Sequence, residues 1–261
     1  MKYGFIGCGN MGGAVAKALS KATQEILVCD RSGKARSLAE EWGIGYSDVS
    51  NIAANCDRIF IAVKPYMVKD VLAPLQEVLA QRKPLLITMA AGISMEELEA
   101  LAGTRLPIIR MIPNTPTAMG KGVIPYCYND LVSGETLRDW RTDMGYCGLL
   151  DPLEERLMDG ASALSGSGPA FCYMFAEALA DGAVACGLPR AKAMEYAAMT
   201  MAGSAEMLLA TRQHPGALKD AVCSPGGSTI VGVQTLENHG FRGAAMDCVI
   251  DTYRKNKELG K

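Results

Sequence analysis

The hydrophobic pattern divides the chain into two parts at about residue 151. In the first part, short apolar runs alternate with amphipathic segments. The apolar runs predict strands over residues 2–6, 26–29, 58–63, 85–89, 108–111 and 123–128. The amphipathic segments predict helices over residues 11–20, 34–42 and 68–80, and Ser94 and Glu97 form a capping box that opens another. Strands that alternate with helices predict a parallel sheet wound on both faces.

The second part lacks strand signals and is rich in Ala, Leu and Met. Pro152 suits the first position of a helix, so residues 151–154 are typical of a helix start. Long helices are predicted over residues 153–164, 169–186, 189–210 and 242–259. Because these helices carry few charged residues, we expect them to pack against a second copy of the chain, and close helix packing inside one subunit is the alternative. The pattern predicts an α/β domain over 1–151 and an all-α domain over 152–261.

Composition and charge exclude several classes of partner. The 261 residues include 26 Lys and Arg against 28 Asp and Glu, a net charge of −2, so nothing suggests capture of nucleic acid or anionic lipid. Nine cysteines occur without a CxxC pair and beside only two histidines, which argues against a zinc site and against a disulfide framework. No apolar run approaches the roughly 20 residues of a membrane span. We expect a cytoplasmic protein with free thiols and no metal.

A glycine-rich turn follows the first predicted strand and opens the first predicted helix. Gly7, Gly9 and Gly12 have the GxGxxG spacing. The first glycine permits a tight turn, the second lets the backbone approach a pyrophosphate, and the third lets helix and strand pack closely. Asp30 ends the second strand, where an acidic residue can bind a ribose. The arrangement predicts a dinucleotide site, and a purely structural turn is the alternative.

The residues after the second strand leave the choice of coenzyme open. Asp30 suits the 2′-hydroxyl of NAD and would repel a 2′-phosphate. Arg31, Ser32 and Lys34 suit that phosphate, although they could equally form a solvated turn. We favour NADP(H), with NAD(H) also accepted. Later strand ends should line the same groove, with Lys64 and Asn114 as its polar groups, although each could be a plain turn.

Two loops of small residues precede helices in the second part. Residues 224–229, SPGGST, precede a helix predicted over 230–237, and free N–H groups there suit a carboxylate or phosphate. An N-capped helix after a flexible loop is the alternative. Residues 165–170, SGSGPA, suit either a close approach to a nicotinamide or a helix start. His214 is interpreted as structural, because neither histidine fits a known pairing with a nucleophile.

Several segments resemble pyrroline-5-carboxylate reductases. They are RMIPNTP at 110–116, GSGPA at 166–170, ALADGAVACGLP at 178–189 and LKDAVCSPGGSTIVGVQTLE at 218–237. With GCGNMG and AVKP they follow the family's order over nearly the whole chain. The resemblance implies NAD(P)H-dependent reduction of 1-pyrroline-5-carboxylate to L-proline, the last step of proline biosynthesis, by direct hydride transfer without a metal. It also implies a Rossmann domain, a dimerisation domain interlocked with its partner's, and rings of dimers such as a decamer.

The resemblance also implies which residues function. The hydroxyl of Thr229 would face the ring nitrogen as the catalytic group, and we favour orientation of the imine because a hydroxyl is a poor acid. The implied substrate contacts are Val222, Ser224, Gly226, Gly227, Ser228 and Thr229. In the family this loop meets the nicotinamide of the other subunit, so an isolated monomer should be inactive. The candidate cofactor contacts, from the resemblance and the strand ends together, are Ile6, Gly7, Gly9, Asn10, Met11, Gly12, Asp30, Arg31, Ser32, Ala62, Val63, Lys64, Pro65, Ala90, Ala91 and Asn114.

Three residues differ from those that the family often has, and other functions are alternatives to this assignment. The family often has an uncharged residue in place of Asp30, asparagine in place of Ala221 and serine in place of Cys223. The change to alanine at position 221 would remove a polar cofactor contact. A 3-hydroxyacid dehydrogenase would need a lysine base, and no lysine lies between Ser162 and Ala180. A general imine reductase or a deazaflavin-dependent reductase is a second alternative, but neither function explains the presence of the SPGGST loop. A non-catalytic dinucleotide sensor would not need that loop intact.

Overall fold

One mixed sheet organises the first part of the chain. The computed structural model describes residues 1–259, and in them the strands follow the order β3-β2-β1-β4-β5-β6-β7-β8. Their bounds are β1 Tyr3–Ile6, β2 Ile26–Cys29, β3 Gly45–Tyr46, β4 Arg58–Ile61, β5 Leu85–Thr88, β6 Ile108–Met111, β7 Gly122–Tyr128 and β8 Gly148–Pro152. β1 to β6 are parallel, whereas β7 runs antiparallel to β6 and β8 runs parallel to β7. Five of the six predicted strands are therefore confirmed as parallel, and the prediction is wrong for the sixth, β7, which runs antiparallel to β6.

Helices cover both faces of this sheet, as the alternating pattern predicts. The α-helices are α1 Asn10–Leu19, α2 Lys34–Trp42, α3 Val49–Asn55, α4 Val68–Leu72, α5 Gln76–Arg82, α6 Met95–Ala102, α7 Gly134–Met144 and α8 Met158–Ala161. Neighbouring residues of β1 point to opposite faces: Phe5 packs into a core with α1, α2 and α7, and Ile6 into a core with α3 to α6. The sheet thus separates two apolar cores.

Several predicted bounds are wrong for local reasons. The helix predicted over 68–80 is interrupted by a 3₁₀ turn, Ala73–Leu75, because Pro74 has no N–H to donate and its ring crowds the preceding turn. Several elements were not predicted at all, among them β3, α3 and the 11-residue α7. The Asp48 side chain caps α3 by accepting from Asn51 N–H at 2.8 Å, and Ser133 caps α7 in the same way.

The helix predicted to start at residue 151 is also wrong. Asp151 and Pro152 end β8, which pairs with β7 from Gly122 onward, so a tertiary pairing overrides the local helix-start signal. The chain then forms a 3₁₀ turn at Glu155–Leu157, α8, and a π-helical turn at Ser162–Gly166. Ser94, by contrast, caps α6 as predicted, accepting from Glu97 N–H at 3.1 Å.

The described chain forms two compact units. The first comprises Met1–Pro169 with the described residues from Thr252 onward, and the second comprises Ala170–Asp251. The later helices are α9 Gly168–Ala185, α10 Arg190–Thr211, α11 Pro215–Ala221, α12 Ser228–Asn238 and α13 Phe241–Leu259. The domain boundary at 151/152 stays a prediction. Among residues 1–259, no helix is long and apolar enough to cross a membrane.

Candidate functional site

A cleft of about 1430 Å³ opens where the parallel strands of the first unit end. Its walls come from the residues that directly follow each strand: 7–11 after β1, 30–32 after β2, 62–65 after β4, Met89 and Ala91 after β5, and Ile112 and Pro113 after β6. Parallel strands bring their carboxyl ends to one edge of a sheet, so segments distant in sequence meet there.

The glycines of the first turn allow close packing at the floor of this cleft. Gly7 has a φ of +102°, and a Cβ there would lie 2.5 Å from the carbonyl oxygen of Ala62. A Cβ on Gly12 would lie 2.9 Å from the Ala62 Cβ, so only glycine lets α1 approach β4 so closely. Gly9 has open space where its Cβ would be. The backbone at Gly9 is therefore accessible to a ligand.

The amino end of α1 faces the cleft without a side-chain cap. Gly9 is its N-cap, and Gly9, Asn10 and Met11 all line the cleft. The first N–H groups of a helix have no partner within the helix, and the helix dipole adds partial positive charge there. This end of α1 can therefore hold a phosphate or pyrophosphate.

Asp30 supplies an unused acceptor at the β2 side of the cleft. Its Oδ2 accepts from the Ser32 hydroxyl at 2.7 Å, while its Oδ1 is buried and has no hydrogen-bond partner among the described residues. Arg31 and Ser32 line the same place. A ribose hydroxyl would satisfy Oδ1, so the structure fits a dinucleotide here.

The cleft carries no thiolate at ordinary pH. Burial, with smaller contributions from Asp30 and Cys29, raises the pKa of the Cys8 thiol to about 11. Burial likewise raises the pKa of Cys29. Both thiols line the cleft and stay neutral, so they do not repel an anionic ligand.

Three predicted cofactor contacts do not line the cleft. Gly12 is packed against β4, and Ala90 is buried. Asn114 is buried as well, and its amide is already occupied: Nδ2 donates to the Ser165 carbonyl at 2.9 Å, and Oδ1 accepts from Val123 N–H at 2.9 Å. Asn114 therefore holds the polypeptide together and is not a polar group of the rim. The other thirteen lie in the lining, namely Ile6, Gly7, Gly9, Asn10, Met11, Asp30, Arg31, Ser32, Ala62, Val63, Lys64, Pro65 and Ala91.

The structure adds lining residues that sequence reasoning missed. Tyr46 and residues 47–50 come from β3 and the start of α3, two elements too short to give a clear pattern. Ser162 and Gly166 come from the π-helical turn. The SGSGPA segment was a signal for Gly166, but nothing in the local pattern pointed to Ser162.

The predicted substrate residues lie together in the second unit. Gly226 has a φ of +70°, and Gly227 N–H donates to the Ser224 carbonyl at 3.0 Å, which closes a tight turn before α12. Gly227 is the N-cap of α12 and provides no side-chain cap, so the first N–H groups of this helix are available to an anion. Thr229 is exposed in the first turn of α12, and its hydroxyl has no hydrogen bond with other described residues.

Comparison with known proteins matches the chain from end to end. A family model described as pyrroline-5-carboxylate reductase dimerisation matches residues 155–259, and one described as NADP oxidoreductase, coenzyme F420-dependent, matches residues 2–92. The pyrroline-5-carboxylate reductase of Escherichia coli strain K12 is 39% identical over 266 aligned residues, which cover 100% of this chain and 98% of that protein.

Solved structures show the same relationship. A pyrroline carboxylate reductase from Plasmodium falciparum, solved with NADP bound, has a TM-score of 0.91 and 33% identity, covering 100% of this chain and 98% of that one. A 1-pyrroline-5-carboxylate reductase from Streptococcus pyogenes has a TM-score of 0.89 and 33% identity, covering 99% and 98%. The predicted Rossmann and helical dimerisation domains are confirmed, and the chain belongs to the pyrroline-5-carboxylate reductase family.

Proposed function

We propose that this chain reduces 1-pyrroline-5-carboxylate to L-proline with NADPH, and that it accepts NADH in the same cleft. The observation that carries the proposal is that a chain matching reductases over its full length keeps both the dinucleotide cleft and the SPGGST loop. The bound dihydronicotinamide would supply a hydride to C5 of the imine ring.

The first unit would bind and orient the coenzyme. The amino end of α1 would hold the pyrophosphate, and the open backbone at Gly9 would let it approach closely. The unpartnered Oδ1 of Asp30 would accept from a ribose hydroxyl, and Arg31 would pair with a 2′-phosphate. Ala62, Val63 and Pro65 would form an apolar surface along the cleft.

The second unit would bind the substrate. The protonated imine and the carboxylate make the substrate a zwitterion, so its two ends need different partners. Free N–H groups of Ser228 and Thr229 would hold the carboxylate at the amino end of α12, with Val222, Ser224, Gly226 and Gly227 around it. The Thr229 hydroxyl would accept from the ring nitrogen and hold the ring in position for reaction.

We further propose a dimer whose helical domains interlock, assembled into larger rings such as a decamer, in the cytoplasm. The family model for the second half is described as a dimerisation domain, which supports association of the chains. The apolar side chains that the second unit leaves exposed support an extensive interface. Nine free cysteines support a reducing compartment.

The first test is turnover of Thr229→Ala. The oxidation of NADPH and NADH with DL-pyrroline-5-carboxylate is followed at 340 nm for the wild type and the variant. Loss of a hydrogen bond to a charged nitrogen should lower kcat/KM about 10- to 100-fold. Thr229→Ser keeps the hydroxyl and is the matched control, expected to retain most activity. If the wild type binds coenzyme but shows no turnover, the reductase proposal fails and a dinucleotide sensor becomes the better explanation.

The second test concerns the choice of coenzyme. Asp30→Ala removes the charge that opposes a 2′-phosphate, so the ratio of kcat/KM for NADPH to that for NADH should rise about tenfold. Arg31→Ala should shift the same ratio in the opposite direction, because it removes a cation next to that phosphate. Unchanged ratios in both variants would show that neither residue selects the coenzyme.

A further inference from the structure

A π-helical turn, Ser162–Gly166, forms part of the cleft wall. Ser167 N–H donates to the Ser162 carbonyl at 3.2 Å, the spacing of five residues that defines the wider turn. Such turns are rare in proteins and recur at functional sites. Two residues of this one, Ser162 and Gly166, line the cleft. The turn therefore shapes the surface that a ligand would meet.

The hydroxyl of Ser162 has no hydrogen-bond partner among residues 1–259. Ser162 is only 9% exposed, yet its hydroxyl makes no hydrogen bond to any other described residue. The hydroxyl of Ser165, in the same turn, donates to the Ala161 carbonyl at 2.7 Å. At the wall of a cleft, a ligand can supply the hydrogen-bond partner that this hydroxyl lacks.

The order of the strands indicates which end of a dinucleotide Ser162 would meet. Asp30 follows β2, and the amino end of α1 follows β1, so the adenine ribose and the pyrophosphate would occupy that side. The other end of the coenzyme would then extend past β4 and β5 toward β6. Ser162 lies at that end, because a Cβ on Gly166 would be 3.4 Å from the Ser162 hydroxyl and 3.9 Å from Ile112, which follows β6.

Asn114 holds the turn against the sheet. Its side chain is 5% exposed and bridges the Ser165 carbonyl, within the turn, to the N–H of Val123 in β7. These two hydrogen bonds tie the turn to the sheet. Asn114 thus acts on the cleft through the turn, as a positioning residue.

We infer that the Ser162 hydroxyl binds the carboxamide of the coenzyme's nicotinamide ring, on a turn that Asn114 holds in place. The inference rests on the proposed use of the cleft for NADP(H). A carboxamide has both an N–H donor and a carbonyl acceptor, and a hydroxyl can pair with either. The bond would fix the rotation of the ring and hence the face from which the hydride leaves.

The test compares two ligands by calorimetric titration of the full-length protein. One is NADP⁺, and the other is 2′-phospho-ADP-ribose, which lacks only the nicotinamide. Ser162→Ala should raise the Kd for NADP⁺ about 3- to 10-fold, the effect of one neutral hydrogen bond, and leave the Kd for the fragment within about twofold. Ser162→Thr keeps the hydroxyl and should restore NADP⁺ binding.

Two further variants separate binding from structure. Ser165→Ala deletes the hydroxyl that bonds inside the turn and should leave both Kd values near those of the wild type. Asn114→Asp removes the Nδ2 donor that holds the turn. The turn should then be displaced, and the binding of NADP⁺ should weaken more than the binding of the fragment. If Ser162→Ala raises the Kd values for both ligands equally, or changes neither Kd, the inference is wrong. If the wild type binds neither ligand, the proposed function itself fails.

Discussion

The two compact units of this chain bury their apolar side chains very differently. The first unit has two large cores, and side chains such as Trp140 and Phe5 in one and Ile59 in the other are fully buried. In the second unit, the buried apolar residues of the described chain are Ala180, Ala193 and Ala197. Its helix α10 leaves large apolar side chains exposed, with Met199 68% and Leu209 78% exposed.

This difference indicates that only the first unit completes its core within one chain. Large apolar side chains that are exposed together normally belong to an interaction surface. The second unit must therefore cover its side chains with another chain, in agreement with the family model for dimerisation that matches residues 155–259. The stability of the second unit should then depend on protein concentration, whereas that of the first should not.

The largest expected effect comes from a charge in the helical unit. Leu209→Glu would place a carboxylate on the apolar surface that we expect a second chain to cover, and burying an unpaired charge costs several kcal/mol. We expect the variant to elute as a monomer in size-exclusion chromatography with light scattering, and to lose activity. Leu149→Glu is the matched control, since Leu149 is an exposed leucine of β8 in the sheet unit. If both variants had the same oligomeric state, the proposed difference between the two units would be wrong.

A smaller effect is expected from a buried ion pair of the sheet unit. Arg58 is 2% exposed and contacts Asp143 at 3.0 Å, and the Tyr3 hydroxyl donates to the same carboxylate at 2.6 Å. Burial and this hydrogen bond raise the pKa of Tyr3 far above its ordinary value, so the phenol stays protonated. In Asp143→Asn, the carboxylate of Asp139, at 3.7 Å, would be the remaining ion-pair partner of Arg58.

We expect Asp143→Asn to lower the free energy of unfolding by about 2 kcal/mol, less than for a fully buried pair because Asp143 is partly exposed. The loss, measured by urea unfolding, should be the same at every protein concentration. A loss that grows on dilution would instead link this pair to assembly. Coenzyme binding should not change, because Tyr3 and Arg58 begin their strands and the cleft lies at the opposite ends.

The smallest effect is expected from an exposed pair in the same unit. Arg105 and Asp130 lie 2.8 Å apart, but their side chains are 65% and 72% exposed. Solvent screens such a pair, so Asp130→Asn should change the free energy of unfolding by less than about 0.5 kcal/mol in the same urea measurement. A loss as large as that of Asp143→Asn would mean that burial does not explain the difference between the two pairs.

Local patterns predicted the elements whose signals lie within a few neighbouring residues. The bounds of β2, β6 and α2 agree with the prediction, because a short apolar run or an amphipathic repeat marks each of them. The glycine turn was also predictable, since the need for glycine at positions 7 and 12 arises from one strand, one turn and one helix. Pro74 could have predicted the break between α4 and α5.

Long-range pairing was decisive where local signals were weak or misleading. The direction of β7 and the pairing that makes residues 148–152 a strand depend on neighbours distant in the chain. Asn114 was expected at the rim of the cleft, yet its two hydrogen-bond partners place it in the interior. Partners this far apart are chosen by packing and leave no periodic trace in the sequence.

The sequence alone was therefore sufficient for the family, the class of fold and the turn that should receive a coenzyme. Those conclusions depend on residue order, on periodicity and on glycines whose role is local. The wall of the cleft formed by Ser162 and Gly166, and the unpartnered oxygen of Asp30, emerged only when the chain was folded. Whether a polar atom is buried and unsatisfied depends on every group packed around it, and that arrangement exists only in three dimensions.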